Sequence, residues 1–74
     1  NKELARAEKE LVNYLSKHQD CFEGWYLLAK IMVKEGNYIK SEEYLIRSLE
    51  TGYTDLGQLE TDKDLIQVYN KIRQ

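Results

Sequence analysis

The chain has 74 residues, 42% hydrophobic and 32% charged, enough for one small domain with a thin core. Its formal net charge of −2, with the signs interspersed, leaves no basic field for nucleic acid, and no apolar run approaches the roughly 18 residues of a membrane span. A single cysteine excludes an internal disulfide and slightly favours a reducing, cytoplasmic setting.

There is no proline and there are only four glycines, while Leu, Lys, Glu and Ile are plentiful, so the expected fold class is all-α. The chain opens on Asn1, not methionine, and is read as a piece of something longer. Over Lys2 to Lys17 the apolar residues Leu4, Ala7, Leu11, Tyr14 and Leu15 recur at steps of three or four, one stripe of an amphipathic helix. A polar run, Lys17-His18-Gln19-Asp20, ends it. Asp20 is the expected N-cap of the next helix, with Glu23 as its capping-box partner.

That second helix spans about Cys21 to Lys34 with the stripe Trp25, Leu28, Ala29, Met32, flanked by Ile31. Gly36 supplies the positive φ expected past its end, and Asn37 is placed to cap a third helix. This third helix, about Tyr38 to Thr51, is expected to bury Tyr38, Ser41, Leu45, Ser48 and Leu49 before Gly52 stops it. Small serines on a buried stripe point to two backbones in close approach.

The stripes of the first and third helices superimpose on a shift of 34 residues, pairing Leu4 with Tyr38, Ala7 with Ser41, Leu11 with Leu45 and Leu15 with Leu49. With Trp25, Leu28-Ala29, Met32, Gly36, Tyr38, Ser41, Leu45 and Ser48 in order, the sequence resembles the tetratricopeptide repeat. Residues 1–20 then match the second half of a preceding repeat, and 21–53 one full repeat. The departure is Tyr53, which stands where the family often has proline.

Residues 54–74 leave the pattern, because Asp62 and Lys63 occupy the places of a buried Leu-Ala pair and are unsuited to burial. The expected arrangement is a turn of helix around Asp55–Leu59, a break at Thr61-Asp62, and a final helix over about Lys63–Arg73. Thr61 and Asp64 have capping-box spacing, and Leu65, Ile66, Tyr69 and Ile72 face inward. Such a segment closes an array by shielding its last apolar face.

No constellation for chemistry survives inspection. Cys21 and His18 are two ligands where structural zinc needs about four, and no base is held against Cys21 as a nucleophile. Asp62 and Asp64 begin like a calcium loop, but Ile66 replaces a ligand and the bend glycine is missing. Neither catalysis, a cofactor nor a metal is expected.

What remains is a second face of the second helix, where Glu23, Tyr26, Lys30, Val33 and Lys34 recur at helical steps. The resemblance implies that this face lines a concave groove. There an extended or helical peptide would lie, its acidic groups drawn by Lys30 and Lys34. Family members that hold chaperone tails carry asparagine or lysine where Tyr26 and Leu27 stand here, so that ligand type is not implied. The expectation is a non-catalytic protein–protein interaction module of solenoid type. The alternatives are self-assembly as a homodimer through an uncovered strip at Leu4, Leu11 and Tyr14, and an accessory segment of a larger enzyme.

Overall fold

The computed structural model describes residues 2–74, and the described residues form five α-helices with no strand. They are α1 (Lys2–Lys17), α2 (Phe22–Lys34), α3 (Tyr38–Glu50), α4 (Leu56–Thr61) and α5 (Ile66–Ile72). No helix is long and apolar enough to cross a membrane.

The ends of α2 and α3 are made the same way. Past α2, Gly36 has φ of +80°, its N–H donates to the Val33 carbonyl at 2.9 Å, and the Asn37 N–H donates to Met32 at 2.8 Å. This pairing satisfies two carbonyls that the helix itself leaves open. Past α3 the Tyr53 N–H reaches back to Ser48 at 3.0 Å around Gly52, whose φ is +128°. Asn37 then caps α3 through its side chain, which accepts from the Lys40 N–H at 3.1 Å.

Two other caps differ from expectation. The N-cap of α2 is Cys21, not Asp20, and no side chain bonds to the free amides, so the Asp20–Glu23 box does not form. The last helix starts at Ile66, not Lys63, and the Thr61–Asp64 box is absent as well. Asp62 takes that place: its Oδ1 accepts from the N–H groups of Asp64 at 2.9 Å and Leu65 at 3.3 Å.

The tightest contact is between α2 and α3, and the two serines explain it. Ser41 Oγ donates to the Ala29 carbonyl and Ser48 Oγ to the Phe22 carbonyl, both at 2.8 Å, and both serines are fully buried. Hydroxyls that bond to the facing backbone let the helices close without stranding a polar group. On one side of α2, Leu15 of α1 meets Leu28, Ile31 and Met32, with Leu4, Ala7, Leu11 and Trp25 packed around them. On the other, Ala29 and Leu45 meet Tyr53, Leu59, Leu65, Val68 and Tyr69.

Three residues read as buried are more open than their stripes imply. Tyr38 is 52% exposed and Tyr14 is 49% exposed, the latter stacked on His18 with ring centroids 4.4 Å apart. Trp25 is only half-buried, because no Cα of α1 comes within 8 Å of one in α3. It spans that gap as a shelf: its Nε1 donates to the Gln19 carbonyl at 2.8 Å, Tyr44 stacks on it at 5.8 Å, and the Arg47 guanidinium lies 5.3 Å above it. Gly36 is exposed and serves the turn, not the core.

The end of the chain is better packed than its charges suggest. Tyr53, in the place of a proline, is 8% exposed, and Val68 joins Leu59 and Leu65 inside. Ile66 and Ile72 are half-buried. The segment covers an apolar surface of α2 and α3.

Candidate functional site

The five residues of the expected groove divide between two environments. Glu23 and Lys34 are exposed, Val33 packs against the cluster around Leu45, and Tyr26 and Lys30 turn toward the segment after α3. What they meet there is Asp62.

Its Oδ2 receives the Tyr26 hydroxyl at 2.6 Å and the Lys30 ammonium at 3.2 Å. The other oxygen caps the Asp64–Leu65 turn, so one carboxylate takes four donors from two parts of the chain. The Asp62 side chain is 8% exposed, against 32% for Lys30. A residue read as unsuited to burial is thus the polar centre of the segment after α3, and the reason is charge pairing. A buried carboxylate is tolerated where its lone pairs are filled by charge-assisted bonds, and 2.6 Å is in the range of O–H···O⁻ contacts.

The electrostatics agree with the geometry. Burial pushes the Asp62 carboxyl up, but the bonds from Tyr26, the Asp64 amide, Lys30 and the Leu65 amide outweigh it and hold it below the ordinary 3.8. Burial, then the bond to Asp62, pushes the Tyr26 phenol far above its usual range, so it stays a donor. Its ring lies flat on Tyr53, centroids 4.7 Å apart and planes 8° from parallel. Tyr53 in turn meets Phe22 edge-on and donates its hydroxyl to Gln58 Oε1 at 2.9 Å.

Tyr26 and Lys30 thus tie α2 by polar bonds to the turn between α4 and α5, beside the apolar packing of Phe22, Ala29 and Val33 against the same segment. Beyond them the outer strip of α2 is open. Leu27 is 50% exposed between Glu23 and Lys34, and no ion pair engages Lys34 among the described residues. Leu27 is not among the expected groove residues, and its apolar character amid a charged strip is the signal for it. The strip offers an apolar contact with the Lys34 ammonium toward one end and the Glu23 carboxylate toward the other.

Among the described residues no three His, Cys, Asp or Glu side chains gather as metal ligands, and Cys21 is a free thiol at the start of α2. Comparison with protein-family models, with curated proteins and with solved structures returns no match.

Proposed function

We propose that this chain is a non-catalytic protein–protein interaction module, the closing part of a tetratricopeptide-like solenoid. It receives an acidic peptide on the outer strip of α2. The observation that carries the reading is the strip itself: half-exposed Leu27 beside Lys34, whose ammonium has no partner within the described chain. The solenoid reading draws on spacing as well, since α4 opens at Leu56, 34 residues after α2 opens at Phe22. A peptide with a leucine flanked by glutamates would set its apolar side chain on Leu27 and its carboxylates near Lys34 and Lys30.

Lys34 is the residue to test, because reversing Lys30 would also break the Asp62 pair. Lys34→Glu is expected to weaken a fluorescein-labelled decapeptide of leucine and glutamate by about tenfold in anisotropy titrations, with the helical circular dichroism unchanged. The difference should shrink in about 1 M salt, where the screening length falls to about 3 Å. Equal affinity at low salt for the two proteins would sink the reading.

Self-association is the second reading: Leu4 and Leu11 of the expected strip pack around Leu15 and are not uncovered, but Tyr14, with Val12, leaves apolar surface on α1, at 49% and 43% exposure. Light scattering over a concentration series separates the two, and a monomer throughout removes it.

A further inference from the structure

We propose that Tyr26 and Lys30 form a carboxylate receptor which the chain fills with its own Asp62, and that an acidic peptide binds by displacing that carboxylate. The turn around Asp62 is then an autoinhibitory strap across one edge of the α2 surface. This rests on the peptide-binding reading above and says how that surface is regulated.

Three features argue for it. The receptor's chemistry is that of the open strip: a cation and a phenolic donor one helical turn apart, beside Leu27 and Lys34 on the same helix. The occupant comes from far along the chain, 36 residues from Tyr26, in the turn between α4 and α5. And the exchange leaves the core closed. Asp62 has only to swing outward, while Leu59 and Leu65, both at 0% exposure, hold the segment in place.

Displacement conserves charge pairing, because one carboxylate replaces another on Lys30 and Tyr26. Its local cost is the loss of the cap on the Asp64 and Leu65 amides. A partner that must first evict Asp62 binds with an affinity lowered by the fraction of time the strap is open. The receptor is one-third exposed at Lys30, so an incoming carboxylate can reach the ammonium before Asp62 leaves.

The test uses the whole chain and the same labelled leucine–glutamate decapeptide. Asp62→Asn keeps a carbonyl oxygen to cap Asp64 and Leu65 but removes the charge facing Lys30. It is expected to bind the peptide at least tenfold more tightly than the wild type. In the wild-type protein, saturating peptide is expected to speed hydrogen exchange at the Asp64 and Leu65 amides at least tenfold, a readout independent of any variant's folding. If the peptide binds and Lys34→Glu weakens it, yet those amides are unchanged and Asp62→Asn is no tighter, the strap is overturned and the surface reading stands. If the peptide binds neither the wild type nor Asp62→Asn, the surface reading itself has failed and the strap falls with it.

Discussion

A Leu45→Ala protein is expected to lose about 3–4 kcal/mol of stability, the middle of the range for truncating a buried leucine. Leu45 is at 0% exposure on α3 and touches a cluster built from α2, Tyr53, α4 and α5. Four separate parts of the chain border the hole, and Ser41 and Ser48 tie α3 to the α2 backbone, so local collapse cannot fill it. At about 0.05–0.15 kcal/mol per residue the whole domain holds about 4–11 kcal/mol, so this one change removes about a quarter or more. In a thermal melt the midpoint should fall by about 12–30 °C. A drop of only a few degrees would show that the cluster is not the domain's main support.

Trp25→Ala makes the instructive contrast. From the sequence it is expected to unfold the domain, since a tryptophan heads the α2 stripe and truncating a large buried aromatic costs about 3–5 kcal/mol. The half-buried shelf between α1 and α3 lowers that cost: the ring already faces water on one side, and its neighbours Arg47 and Tyr44 can settle toward the gap. A smaller fall in the melting midpoint than for Leu45→Ala is therefore expected, and the reverse order would return Trp25 to the core.

That contrast marks what helical periodicity can and cannot say. Steps of three and four identify which side of a helix turns inward, and Leu15, Leu28, Ala29, Met32 and Leu45 are buried as their stripes require. Gly36 and Asn37 identify a helix stop and start because each has a specific backbone task. Periodicity says nothing of how far a neighbour extends, which is why Tyr14 and Tyr38 sit on buried stripes yet stand about half exposed. The site is less legible for a different reason. Helical spacing puts Tyr26 and Lys30 on one face, but their partner Asp62 lies 36 and 32 residues on, where its charge argues for solvent. A charge is unsuited to burial only until its counter-charge is known, and pairing at that distance leaves no local pattern.

Asp62→Ala should therefore be far more costly than an acidic residue in a turn ordinarily is. The change strands the Tyr26 hydroxyl and two backbone amides and leaves Lys30 without its counter-charge. Charge-assisted bonds of this kind contribute about 1.5–3 kcal/mol when buried, and water can reach Lys30, so the combined loss is about 2–3 kcal/mol. The melting midpoint should fall by about 10–20 °C, with the earliest loss of hydrogen-exchange protection in α5 and the latest in the α2–α3 pair. Its pH dependence has a definite sign. Because the folded protein holds the Asp62 carboxyl below the ordinary 3.8, its contribution is complete above that ordinary value and disappears as pH falls through the lower, folded one. Urea titrations of wild type and Asp62→Ala should thus differ most at neutral pH and converge once Asp62 is protonated in strong acid. A gap that widens on acidification would mean that Asp62 is not held as an anion by Tyr26 and Lys30, and the strap built on that pairing would have to be abandoned.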